Sequence, residues 1–190
     1  YILGGKGKNA YNVPKQIDRM SNRHGLDGKE LTKSARLTTR IDNNAIQDGF
    51  NLYQQHFLVS DEGEWTAISQ GMNKSNRRAR RYHWHSPTVR SFIEAPHTGI
   101  VGIEDQSVLN LVDPSAKGLQ DNMMALTKEN TTELAELIKH SEMPNRHDVR
   151  KEDINTSRLA SVLDLAYNRD IEKFEALIDL HGVGPKTLKA

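Results

Sequence analysis

The residues best suited to chemistry stand at the end of the chain, in the run Leu177-Ile-Asp-Leu-His-Gly182-Val-Gly184-Pro-Lys186-Thr-Leu-Lys-Ala190. An apolar helix end is followed by two glycines flanking Val183, and then by Pro185, which opens a second helix. Proline suits a first helical position because its missing N–H would have no intrahelical partner there. Gly182 and Gly184 let the main chain take left-handed angles and lie close against another molecule. The turn then offers unpaired N–H groups beside Lys186, Thr187 and Lys189, an arrangement that holds a phosphate. A plain glycine-bounded turn between two helices has the same outline. The basic residues behind the proline favour the anion.

A second candidate lies mid-chain. From Trp65 through Ile93 there is no acidic residue, while the same window holds Lys74, Arg77, Arg78, Arg80, Arg81 and Arg90, with Tyr82-His-Trp84-His85 directly after the arginines. Guanidinium forks grip phosphate oxygens, and Tyr or Trp stacks on an exposed base. Clustered basic residues next to aromatics are the electrostatic footprint of a nucleic-acid surface. The competing expectation is a solvated loop whose arginines pair with acidic residues elsewhere, with Tyr82 and Trp84 anchoring it to the core.

Other residues have chemistry within reach but poorer support. His83 and His85 share a face if the backbone is extended, and with His97 they offer imidazoles to zinc, without a nameable full ligand set. Asp42, Asp48, Asp61 and Glu64 are carboxylates of the kind a magnesium-dependent nuclease uses, but turns and caps select the same residues. The Gly4-Gly-Lys6-Gly-Lys8 run can cradle a phosphate through its amides or serve as a flexible basic turn. It lacks the spacing of a P-loop.

The elements that must position these groups follow from periodicity. Tyr1-Ile2-Leu3 reads as a strand. Residues 14–24 read as a helix closed by Gly25. Asp27 and Glu30 form a capping box for a helix whose stripe is Leu31, Ala35, Thr38 and Ile41. Residues 52–60 and 65–70 form a hairpin, and extended segments follow at 100–103 and 108–112. Beyond Pro114 the chain reads as helical. Its stripes are Leu119/Met123/Met124/Leu126, then Leu134/Leu137/Ile138, then Leu159/Val162/Leu163/Ala166, then Ile171/Phe174/Leu177/Ile178. A flexible connection is expected around Pro144.

The chain has 190 residues, 36% hydrophobic and 27% charged, and a net charge of only +1. It is long enough for one or two domains with a real core. No apolar run is long enough for a membrane span, no secretory signal is visible, and there are no cysteines, which together fit a cytoplasmic protein. The chain opens without Met and stops six residues into the helix that Pro185 begins. A helix that short is hard to sustain, so a fragment of a longer protein is expected.

Several of these runs together resemble domain-of-unknown-function family seven-six-three, from archaea and bacteria. They are Gly4-Gly-Lys-Gly-Lys8, Gln47-Asp-Gly-Phe-Asn-Leu-Tyr53, Glu64-Trp65 through Gln70-Gly-Met-Asn73, Arg81-Tyr-His-Trp84, Leu109-Asn-Leu-Val112 and the Gly-Val-Gly-Pro-Lys run. The resemblance covers essentially the whole chain, implies longer members at both ends, and carries no activity. A narrower resemblance is mechanistic. Leu180 to Thr187 is similar to the helix-hairpin-helix of DNA glycosylases, a module that holds DNA backbone without reading sequence. It implies phosphate contacts at Gly182, Val183, Gly184, Lys186, Thr187 and Lys189. In family members with lyase activity a nucleophilic lysine falls where Lys186 stands. A damaged nucleotide is flipped from the stack and the neutral amine attacks the sugar C1′ to form a Schiff base, assisted by an aspartate. His181 departs from the proline usual there, and the assisting aspartate would fall beyond Ala190.

The sequence thus predicts an α+β protein: a small antiparallel sheet flanked by helices over residues 1–113, then a helical part over 114–190 ending in a truncated helix-hairpin-helix at 170–190. Its expected function is DNA binding in repair or processing. Gly182, Val183, Gly184, Lys186, Thr187 and Lys189 form one contact surface; Arg77, Arg78, Arg80 and Arg81 form another. The expected partner is nucleic acid, DNA ahead of RNA, with no membrane, no cofactor and no metal required. The alternatives are a glycosylase/lyase using Lys186 and a magnesium nuclease using Asp48 and Asp61.

Overall fold

The computed structural model describes residues 1–103, 108–140 and 155–189. The chain divides into two compact units, Tyr1–Pro114 and Ser115–Ala190. The architecture is α+β, with an antiparallel sheet and helices in the first unit and, among the described residues, helices alone in the second.

In the first unit two helices form where the sequence marks them. α1 (Val13–His24) has Pro14 in its first turn and ends at Gly25, whose N–H donates to the Ser21 carbonyl. α2 (Gly28–Arg40) is capped by Asp27, whose carboxylate accepts from the Lys29 and Glu30 amides at 3.0 Å each. Those amides would otherwise be orphaned at a helix start. Leu31, Ala35, Thr38 and Ile41 are all buried, one helical face continued into a π-helical turn at Ile41–Ala45.

Strands β1 (Ile2–Lys6), β3 (Asn51–Val59), β4 (Trp65–Asn73), β5 (Arg78–His85) and β6 (Gly99–Val101) form a five-stranded antiparallel sheet in that order. The short strands β2 (Ile46–Gln47) and β7 (Leu109–Asn110) pair with each other. Side chains alternate across the sheet: Gln55, Phe57 and Val59 on β3 and Trp65, Ala67 and Ser69 on β4 are buried on one face. That face meets α2, since Gln55 Nε2 donates to the Ala35 carbonyl and to Thr38 Oγ1 at 3.2 Å each.

Two expectations change here. The arginine-rich segment is not a solvated loop but largely strand β5, hydrogen-bonded to β4 along its length. Its alternation sends Arg80, Tyr82 and Trp84 inward and Arg81 and His85 to the other face, so charge had masked a period of two. Gly4 and Gly5 lie inside β1, opposite His56 and Gln55, and do not form a phosphate loop. The Gly4 amide is taken by Gln16 Oε1 at 2.6 Å, and a Cβ there would come within 2.2 Å of the Gln55 carbonyl oxygen.

The second unit comprises α3 (Lys117–Leu126), α4 (Thr131–His140), α5 (Thr156–Asn168), α6 (Phe174–Asp179) and α7 (Pro185–Lys189). Leu159, Val162 and Ala166 are buried, as are Ile171, Phe174, Leu177 and Ile178, in keeping with their spacing. Thr131 Oγ1 donates to Asp164 at 2.7 Å, tying α4 to α5. The stripe on α3 is displaced. Leu119 and Leu126 are exposed, and the buried positions are Gln120 and, just past the helix end, Thr127. Leu137 is also exposed. The Ile138 side chain and the connection around Pro144 lie outside the described residues.

Candidate nucleic-acid interface

The glycine turn is built from beneath. Leu177 and Ile178 on α6, Leu180 and Val183 in the turn, and Leu188 on α7 are all buried. The Val183 amide donates to the Leu180 carbonyl at 3.2 Å, and the Thr187 and Leu188 amides to the Gly184 carbonyl at 3.0 and 3.1 Å. Gly182 adopts φ +92° with Val162 directly beneath; a Cβ there would lie 3.0 Å from Val162 Cγ2. Glycine is therefore required at this position both by backbone angle and by space. Gly184 faces open space, with no atom within 4 Å of a Cβ built on it.

The six expected contact residues accordingly divide by role. Val183 is an anchor, its side chain buried and its amide already bonded to protein. Thr187 braces the turn, its Oγ1 lying 3.5 Å from both the Gly184 nitrogen and the Gly182 carbonyl oxygen. Gly182, Gly184 and the exposed Lys186 make up the outward part. The Lys189 side chain lies outside the described residues. α7 has only five residues, too few to contribute a long-helix dipole.

The four arginines also separate. Lys74, Arg77 and Arg78 are exposed around the β4–β5 turn, where Asn73 Oδ1 accepts from the Ser75 and Asn76 amides and Arg77 sits at φ +55°. Arg81 is exposed on the sheet face turned away from α2, its Nε donating to Gln70 Oε1 at 2.8 Å. Arg80 belongs to the interior instead. Its guanidinium lies 2.8 Å from the fully buried Asp48 carboxylate and donates to the Ile103 carbonyl at 2.6 Å, with the Phe50 ring 4.8 Å away.

Tyr82 and Trp84 do not present rings to a base; both are fully buried. Tyr82 Oη donates to Asp48 at 2.5 Å, and burial first, then that hydrogen bond, holds its phenol protonated far above the ordinary tyrosine range. Trp84 Nε1 donates to both oxygens of Asp42 at 3.1 and 3.2 Å, and His97 Nε2 lies 2.7 Å from the same carboxylate. Asp42 and Asp48 are thus committed to the core, whereas Asp61 and Glu64 stand at the β3–β4 turn. Asp42 and Asp48 therefore spend their oxygens on protein donors and not on a metal ion. The imidazoles are dispersed: His85 meets Thr66 Oγ1 at 3.0 Å and His97 meets Asp42. Among the described residues no group of three or more His, Cys, Asp or Glu could hold a metal ion.

The two aspartate-centred networks are the site features that sequence reasoning missed. Their partners lie 32 to 55 residues apart in the chain. The usable signal was the alternation Arg80, Tyr82, Trp84, which places three hydrogen-bond donors on one buried face of a strand. Such donors require buried acceptors.

Comparison with known proteins gives one match: a family model described as a protein of unknown function (DUF763) covers residues 1–190. No curated protein and no solved structure matches the chain. Among the described residues no helix is long and apolar enough to cross a membrane.

Proposed function

We propose, on the premise that the chain belongs to the DUF763 family of proteins of unknown function, that it binds nucleic acid by its backbone, DNA ahead of RNA, in DNA repair or processing. The observation that carries this reading is the Gly182–Gly184 turn. Its main chain is held at the surface in a left-handed bend, anchored by buried Val183 and Leu180, with Lys186 exposed at the start of the next helix. A helix-hairpin-helix holds phosphate with such a turn: amides and one cation meet a nonbridging oxygen, and no base is read. The exposed set Arg77, Arg78 and Arg81 supports the reading from the first unit.

The exposure of Lys186 favours phosphate contact over amine catalysis. A Schiff-base lysine works from an enclosed, desolvated site, whereas a phosphate-binding lysine works from the surface. The test is fluorescence anisotropy with labelled DNA duplexes of unrelated sequence at low salt. Wild type is expected to bind them with similar affinity, and Lys186→Glu to bind about tenfold more weakly. Equal affinity of the two proteins, or no duplex binding by wild type, overturns the reading.

A further inference from the structure

The buried Asp42–His97 pair opens on a cleft of about 210 Å³ in the first unit, lined by Ala95, Pro96, His97, Gly99, Ile100, Asn110, Val112, Asp113 and Pro114. The His97 side chain is 6% exposed, so the imidazole is built into the wall and is not draped over it. Asp42, also bonded by Trp84, is an acceptor when ionised, which places the proton of a neutral His97 ring on Nε2 and leaves the Nδ1 lone pair. Nδ1 has no hydrogen-bond partner among the described residues, and it is not one of the fully occluded polar atoms. Asn110 contributes the complementary group. Its Oδ1 accepts from the Val112 amide at 3.2 Å, leaving Nδ2 as a donor.

The segments that form the cleft are held under strain. Ala95 takes φ +43° while its amide donates to the Val112 carbonyl at 2.8 Å, clamping the irregular run at 95–97 to the run at 110–114. Left-handed angles at a residue with a Cβ are costly and persist where surrounding contacts over-determine them. The lining includes no lysine or arginine, and Asp113 is exposed at its edge, so a phosphate or carboxylate finds no counter-charge. The volume is below the roughly 300–1,000 Å³ of sites for drug-sized ligands, which limits the occupant to a single ring system.

We propose that this cleft is a nucleobase pocket. A planar heterocycle lies between Pro96, Ile100, Val112 and Pro114, donates a ring N–H to His97 Nδ1 and accepts from Asn110 Nδ2 at its carbonyl. Two sources share that chemistry, a free nucleoside and a base turned out from a strand. In both, the sugar and phosphate remain outside the uncharged walls. The cleft is lined by residues of the first unit alone and does not depend on the glycine turn.

The experiment is nitrogen NMR of the histidine rings in the full chain, titrated with uridine, cytidine, adenosine, guanosine and a short oligothymidylate. Uridine, guanosine or the oligothymidylate, whose bases carry a ring N–H beside a carbonyl, is expected to shift His97 Nδ1 saturably. Cytidine and adenosine, which carry no ring N–H, are expected to leave it unmoved, and a shift with those two alone overturns the pocket. Ile100→Trp, made at a half-exposed residue whose indole would occupy the cleft, is expected to weaken the shifting probe at least about tenfold. Asn110→Asp, which replaces the donor with an acceptor, is expected to do the same if the tryptophan variant fails to fold. A shift with nucleosides assigns a free ligand; a shift with the oligonucleotide alone assigns a base in a strand. If no probe moves His97, or if both variants respond like wild type, the pocket is overturned. Should the oligonucleotide bind with His97 unmoved, and lose affinity in Lys186→Glu, the pocket falls while the backbone reading survives.

Discussion

Arg80 and Arg81 are neighbours in β5 whose substitution should have opposite consequences. Arg80 forms its ion pair with Asp48 at side-chain exposures of 9% and 0%, so Arg80→Met would strand a buried carboxylate. The expected loss is about 3–5 kcal/mol in urea unfolding. Arg81→Met, on the exposed face, should change stability by no more than about 0.5 kcal/mol. Tyr82 gives the same network a pH signature. Its folded pKa is raised far above the unfolded value of about 10, so the folded state keeps the proton. Its contribution is complete below that unfolded value and is lost as pH rises past it. Urea unfolding across the alkaline range should show wild type losing more stability than Tyr82→Phe. In a tyrosinate absorbance titration, one of the five tyrosines should ionise only on unfolding. At this scale the sequence showed which residues were chemically able but not which were committed. Asp42 and Asp48 looked like free carboxylates because Trp84, His97, Arg80 and Tyr82 reach them only after β5 is laid into the sheet.

Elements were more legible, because caps and local periodicity are written in adjacent residues. Asp27 is the clearest case: its carboxylate holds two amides, and Asp27→Ala should lower stability by about 1 kcal/mol, measured by denaturant unfolding of the full chain. The α1 and α2 boundaries, the β3–β4 hairpin and the apolar faces of α5 and α6 follow from the same local rules. β5 escaped because three arginines in four residues read as solvent-facing charge, and Asp48, the Ile103 carbonyl and the Phe50 ring make one of them an interior residue. α3 escaped for the converse reason. Its leucines stand at the surface while Gln120 and Thr127 are buried, so hydrophobicity named the wrong face. Leu126→Lys should therefore be tolerated within about 0.5 kcal/mol, where a core leucine would cost several times more. The glycine turn was legible as a turn, but the separate tasks of its residues were not. Val183 as anchor and Thr187 as brace depend on what lies beneath them, which no local pattern shows.

For the whole molecule, a net charge of +1 means that no long-range field draws a polyanion to the chain. Any affinity for nucleic acid must come from a few local cations, and their number is measurable. Each phosphate neutralised on duplex DNA contributes about 0.9 to the slope of log affinity against log salt. Exposed Lys186 in the second unit and Arg77, Arg78 and Arg81 in the first are the positions at issue. If one duplex engages all four at once, the slope should be between about 3 and 4, and replacing the three arginines with alanine should reduce it to about 1. Adding Lys186→Glu to that variant should remove the remaining salt dependence. If wild type already shows a slope near 1 that only Lys186→Glu abolishes, the turn acts alone and the basic end of the β4–β5 hairpin is a solvated surface. A slope that survives all four substitutions would place the phosphate contacts elsewhere and end the case for both surfaces. The Arg80→Met protein is unsuitable for this count, because lost folding would mimic lost contact. The buried arginine must be kept for the exposed ones to be read.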